Sequence, residues 1–288
     1  MIGTPTRPST LPTPSVAERI AVCSWSLQPV DLADLIAQLQ ATGIRRVQLA
    51  LDPLRKSPAH WAAAPQLFPA AGLSVVSGMF AGVGEDYSTL ESIRLTGGIA
   101  PDATWEENLQ NMHGTAKLAA ELGLKLVSFH AGFLPENEAS PGFAKMLGRL
   151  ATVTEIFAKV QISVALETGQ EAAPVLAALL KKLDHPGLGV NFDPANMILY
   201  FQRDPIGALK VLAPWIRQVH IKDARGTRVP GTWGEEVVAG TGDVDWRKFF
   251  STLKQIRFTG NLVIEREAGT HRVADICAAR DVVLESAG

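Results

Sequence analysis

From residue 20 onward, short apolar runs alternate with longer stretches whose apolar residues recur at helical spacing. Ile20-Ala21-Val22-Cys23-Ser24-Trp25 reads as a strand. Asp31 then caps a helix carrying Leu32, Leu35, Ile36 and Leu39, which Gly43 ends. Strands follow at 46–51, at 73–79, at 125–129 with His130 just beyond, and from Ile162. Helical patterns occupy 54–71, 105–122 and 141–160 between them. Residues 80–104 fit neither period: they are too long for a turn and too apolar for disorder, as a pocket-shaping loop would be. Beyond 162, four apolar runs each end on a polar residue, with helices predicted at 171–183, 205–212, 246–256 and 273–285.

Eight strands, each followed by a helix and restarted without a long linker, predict parallel pairing and an α/β fold, a closed (β/α)8 barrel over residues 19–288. The first 18 residues, rich in Thr, Pro and Ser, lack the apolar stretch of a secretory leader and read as a disordered or surface-draped extension.

Composition narrows the partners. The 288 residues, 47% hydrophobic, suffice for one large core, and 27 Lys and Arg against 29 Asp and Glu leave no basic surface for nucleic acid. Cys23 and Cys277 make no disulfide framework and fit a reducing, cytoplasmic setting, and no apolar run has the length of a membrane span. P-loop, dinucleotide-binding and nucleophile-elbow motifs are absent.

The four runs are Val164-Ala165-Leu166-Glu167, Val190-Asn191-Phe192-Asp193, Arg217-Gln218-Val219-His220 and Leu262-Val263-Ile264-Glu265. Their last residues are spaced by 26, 27 and 45 positions. A barrel brings every strand end to one rim, so Glu167, Asp193, His220 and Glu265 can converge there. Three carboxylates and one imidazole suit Mn²⁺, Mg²⁺ or Co²⁺ and admit Zn²⁺. Singly, each could be a helix cap or the partner of a loop arginine; the set points to a metal. Around it, His130, Asn196, Lys222, Arg225 and Trp25 are candidate substrate contacts. Lys222 shares the strand parity of His220, whereas Asp223 reads as its ion-pair partner, and Arg225 could hold a sugar hydroxyl or phosphate. Glu91 and His113 are weaker candidates; Trp246 reads as packing and Asp245 as an N-cap. Residues 224–243, with five glycines, Trp233, Glu235 and Glu236, suggest a lid or an oligomer contact.

At these residues the chain resembles the sugar phosphate isomerase/epimerase superfamily, the xylose-isomerase-like TIM barrels. The resemblance rests on Ala165-Leu166-Glu167, Asn191-Phe192-Asp193-Pro194-Ala195-Asn196, Val219-His220-Ile221-Lys222-Asp223, Gly240-Thr241-Gly242-Asp243-Val244-Asp245-Trp246 and Val263-Ile264-Glu265. It implies one Mn²⁺-like ion held by Glu167, Asp193, His220 and Glu265, with Glu167 and Glu265 also the acid/base pair. It further implies a small sugar, sugar phosphate or cyclitol substrate, an enediolate route and a homodimer. A dehydratase working through the same enediolate is the alternative, and a non-catalytic sugar-binding barrel a third reading. The 3-epimerase branch carries His where Asn196 stands, and a second Glu where this chain has Gln170-Glu171 and then Ala172-Ala173. The endonuclease branch needs a richer set for three zinc ions, which six histidines, only two of them ending strands, do not provide.

Overall fold

The computed structural model describes residues 14–201, 204–229 and 231–287. Ten strands are present: β1 (Ile20–Cys23), β2 (Arg46–Ala50), β3 (Ser74–Met79), β4 (Leu126–Phe129), β5 (Ser163–Glu167), β6 (Leu188–Phe192), β7 (Ile216–Ile221), β8 (Asp223–Arg225), β9 (Glu235–Val237) and β10 (Asn261–Ile264). Eight of them close a parallel barrel in the order β1-β10-β7-β6-β5-β4-β3-β2, the fold expected. The seam is the parallel pairing of Ile20, Ala21 and Val22 with Leu262, Val263 and Ile264.

Strand parity sets what each face receives. Val164, Leu166, Val190, Phe192, Val219, Ile221, Leu262 and Ile264 belong to the main core, in the layer shared with the helices. Each such burial is worth roughly 1.5–3 kcal/mol. Their alternate neighbours, Glu167, Asn191, Gln218, His220 and Val263, therefore point inward. A one-residue slip of any strand would drive its polar residue into the apolar layer, so the core fixes the register of the site.

The helices follow local signals. Asp31 accepts from the Asp34 amide at 2.8 Å at the head of Leu32–Thr42, and Gly43 ends that helix at φ +71°. Ser140 caps Pro141–Ala158, and Asp245 caps Trp246–Gln255. The single helix expected over 54–71 is instead three short ones, Asp52–Lys56, Pro58–Trp61 and Ala64–Ala70. Each opens on a proline in its first turn, where the missing N–H costs least, and each proline discourages helix in the residue before it. The helix expected over 171–183 begins at Ala173.

Most of the N-terminal extension expected over 1–18 lies outside the described residues. Its last part is ordered: Val16–Arg19 forms a helical turn with a Ser15/Glu18 capping box. Residues 224–243 form no plain glycine loop, because β8 and β9 pair as an antiparallel hairpin. Among the described residues no helix is long and apolar enough to cross a membrane.

Candidate metal centre

Glu167 ends β5, Asp193 and Glu265 directly follow β6 and β10, and His220 lies one residue from the end of β7. These four strands are contiguous in the barrel. One ligand atom from each residue lies within 4.8 Å of all the others, and all four side chains are buried. His220 Nδ1 stands 3.3 Å from Glu167 Oε1, 3.4 Å from Glu265 Oε2 and 3.7 Å from Asp193 Oδ2.

Two atoms at the centre, His220 Nδ1 and Asp193 Oδ2, are buried with no hydrogen-bond partner among the described residues. A buried polar atom left unpaired costs about 1–3 kcal/mol, so two at one point call for a shared ligand. Metal–ligand bonds of about 2.0–2.6 Å separate opposed ligand atoms by at most about 4–5 Å, which matches the spread here. Asp193 also explains how a cap and a ligand can be one residue. Its Oδ1 accepts from the Ala195 and Asn196 amides at 2.7 and 2.9 Å, capping helix Pro194–Leu199, and Oδ2 is left over. Asn196 lies on that helix.

A layer of amides beneath the centre orients it. His220 Nε2 lies 2.8 Å from Gln48 Oε1 and Nδ1 faces the carboxylates; a proton on Nε2, donated to Gln48, leaves Nδ1 its lone pair for a cation. Gln48 is itself held by Ser128 Oγ at 2.8 Å. Asn191 Nδ2 sits 2.9 Å from His220 Nε2 and donates to Glu167 Oε2 at 3.3 Å. Gln218 Nε2 donates to Asn191 Oδ1 at 3.3 Å, and Ser77 Oγ to Gln218 Oε1 at 2.7 Å.

The electrostatics follow from packing. Burial pushes the Glu265 carboxyl up, but Lys222 and His220 outweigh it and hold the group well below its usual range. Burial lifts Asp193, helped by the nearby charges of Glu265 and Glu167. Burial alone would lower His220, yet Glu167, Cys23 and Glu265 together raise it well above an ordinary histidine.

Four of the five candidate substrate contacts line one cavity of about 430 Å³ above the centre: Trp25, His130, Asn196 and Lys222. Trp25 lies past the end of β1 in a 3₁₀ turn, Ser24–Leu27, and its Nε1 donates to Glu265 Oε1 at 2.8 Å. Asn196 Nδ2 donates to Glu167 Oε1 at 3.0 Å, and His130 Nε2 stands 3.7 Å from the same oxygen. Lys222 Nζ donates to Glu265 Oε2 at 3.0 Å, to Asn196 Oδ1 at 3.2 Å and to Glu267.

Arg225 does not join them. The hairpin turns its guanidinium onto the Thr241 carbonyl, at 3.0 and 2.8 Å, and it lines a separate cavity with Arg228 and Asp243. Asp223 is no partner of Lys222; it accepts from the backbone of residues 224, 240, 242 and 244 and from Trp246 Nε1. Glu91 pairs with Arg94 on the surface, and His113 is exposed on helix Trp105–Glu121.

Sequence reasoning missed Glu85, Tyr87, Tyr200 and Glu267, all lining the cavity, and the amides Gln48 and Asn191. Glu267 shares the parity of Glu265, and Gln48, Asn191 and Gln218 interrupt otherwise apolar strands. Those two signals were available in the sequence.

The family model described as Xylose isomerase-like TIM barrel matches residues 30–285. A solved xylose isomerase domain protein from Planctomyces limnophilus superposes with a TM-score of 0.82 at 30% identity, covering 93% of this chain and 95% of that one. A solved L-ribulose 3-epimerase shares the fold at a TM-score of 0.70 and 17% identity, covering 93% and 94%. The inosose dehydratase of Geobacillus kaustophilus (strain HTA426) is 27% identical over 179 residues, 58% of this chain and 46% of that protein. The chain's matches span less than half the length of the curated relatives.

Proposed function

We propose, from the premise that this chain belongs to the xylose isomerase-like TIM barrel family, that it is a divalent-metal-dependent isomerase or epimerase. Its substrate is a keto-sugar, sugar phosphate or cyclitol, and Glu167 and Glu265 transfer the proton. The observation that carries this reading is the convergence of four buried groups on unpartnered His220 Nδ1 and Asp193 Oδ2. Three oxygens and one nitrogen favour Mn²⁺ or Mg²⁺. Once bound, such a cation stabilises the negative charge that builds on a carbonyl oxygen as the neighbouring C–H is deprotonated.

The remaining work falls to the chain's own groups. Glu167 on β5 and Glu265 after β10 are separated by β6 and β7, so they stand at the two ends of the four-strand arc that holds the ligands. One carboxylate takes the proton, and the other returns it from the far face and inverts the carbon; return to the adjacent carbon isomerises instead. Trp25 and Lys222 hold Glu265, while Asn191 and Asn196 hold Glu167, so neither carboxylate can swing away. The two free cysteines fit a reducing cytoplasm. A second reading, a lyase in which the same deprotonation is followed by loss of a β-hydroxyl as water, draws on the inosose dehydratase match.

Incubating a keto-sugar panel in D₂O with Mn²⁺ separates these readings. Deuterium uptake without loss of water fits isomerisation, and loss of water fits the lyase. Tight metal binding with no uptake by any sugar leaves only a binding barrel. Glu167→Gln and Glu265→Gln should each cut exchange by at least about 10²-fold with the fold retained; wild-type exchange in either variant overturns the paired-carboxylate mechanism.

A further inference from the structure

We propose that this site takes an uncharged keto-polyol and rejects phosphorylated or carboxylated analogues, an inference that rests on the metal-dependent reading above. The cavity volume of about 430 Å³ equals roughly fourteen waters at about 30 Å³ each, room for a monosaccharide with space left over. Its charged lining is lopsided: Glu85, Glu265 and Glu267 stand against Lys222 and His130, Asp52 is paired with Arg55 at 2.8 Å, and no arginine among the described residues lines it.

Lys222 is not free to meet an anion. An ammonium has three N–H donors, and those of Lys222 are taken by Asn196, Glu265 and Glu267. His130 lies against Glu167, at 3.7 Å. The N-terminus of helix Pro194–Leu199, otherwise a natural anion site, is filled by the Asp193 carboxylate. A bound divalent cation does not reverse the balance, because Glu167, Asp193 and Glu265 already exceed its two charges. Phosphate recognition uses an arginine fork, a free lysine or a cradle of amides, and none of these lines the cavity among the described residues. Arg225 and Arg228 face a different one.

What the walls do offer suits hydroxyls. Trp25, Tyr87, Tyr200 and Trp233 provide aromatic surface for C–H faces. His130 Nδ1 and Trp233 Nε1 are buried without a partner among the described residues, two single hydrogen-bonding points. Glu85, fixed by the Gly98 amide at 2.9 Å, keeps a carboxylate on the wall.

The test is calorimetric titration of the Mn²⁺-loaded protein with D-fructose, D-tagatose and D-ribulose, each paired with its terminal phosphate. The neutral member of the tightest pair should bind at least about tenfold more tightly. Its advantage should narrow between about 0.02 and 0.5 M salt and in Glu85→Gln, which retains an acceptor for the Gly98 amide. Equal or tighter binding of the phosphate overturns this inference while leaving metal-dependent proton transfer in place. An advantage unmoved by both salt and Glu85→Gln overturns the electrostatic cause. Failure of every pair to bind, with the cation held tightly, overturns the inference together with the enzymatic reading.

Discussion

Replacing Asp223 with asparagine asks whether one carboxylate holds the hairpin arm over the cavity. The residue is 1% exposed. Its Oδ1 accepts from the amides of Ala224 at 2.9 Å and Val244 at 3.2 Å. Its Oδ2 accepts from the amides of Gly240 at 2.8 Å and Gly242 at 3.1 Å, and from Trp246 Nε1 at 3.0 Å. Asparagine has the same shape but only one acceptor oxygen, so its NH₂ must face one of the two groups of donors. Oriented the cheaper way, it leaves two buried N–H groups unanswered, at about 1–3 kcal/mol each, or about 2–6 kcal/mol in all. Against a typical stability of about 5–15 kcal/mol that is a large fraction. At about 2–4 °C per kcal/mol the melting point should fall by at least about 4 °C. Urea and thermal unfolding measure the loss. Mn²⁺ affinity should hold, because Asp223 contacts none of the four ligands, while sugar binding should weaken as Trp233 is released. A stability loss below about 1 kcal/mol would refute the claim that this carboxylate organises the arm.

Gln48→Leu removes the acceptor that fixes the His220 tautomer and should weaken Mn²⁺ affinity by about 10–100-fold by calorimetry; unchanged affinity would show that Asn191 suffices to orient the ring. Burial lifts the Glu171 carboxyl from its ordinary 4.5 to about 7, so the folded chain favours its protonated form. That contribution is complete below about pH 4.5 and is lost as the pH rises through 7. Between pH 5 and 8 the melting point of the wild type should therefore decline relative to Glu171→Gln, and parallel curves would contradict the assignment. Gly98→Ala should destabilise the 80–104 loop severely, since at φ +62° an added Cβ would lie 2.1 Å from the Ala131 carbonyl carbon; a variant as protease-resistant as wild type at that loop would tell against it.

Barrel and ligand candidates were legible because both follow from short-range rules. An apolar run that closes on a polar residue states a strand and its rim-facing end together, which is why Glu167, Asp193, His220 and Glu265 stood out. Loops obey no such period. Nothing local says that Glu85 and Tyr87 fold back over β3 and β4, or that Arg225 is drawn to the Thr241 carbonyl by a hairpin. Asp223 was misassigned for the same reason: adjacency to Lys222 suggested an ion pair, whereas four of its five partners lie 17 to 23 residues downstream. The error over 54–71 was of another kind, since Pro53, Pro58 and Pro65 announced the breaks that an Ala-rich composition obscured.

The ligands come from β5, β6, β7 and β10, an unbroken arc on one side of the barrel. Strands β1 to β4 contribute none of the four and lead instead into wall residues such as Trp25, Phe80 and His130. The four ligands thus sit wholly in the second half of the polypeptide, whereas the chamber wall draws on both halves, with Phe80, Glu85, Tyr87 and His130 from the first. Mutational drift at those first-half wall positions can redraw the contour of the chamber while the four ligands stay untouched, an arrangement that would let one ancestral chemistry spread over many polyols.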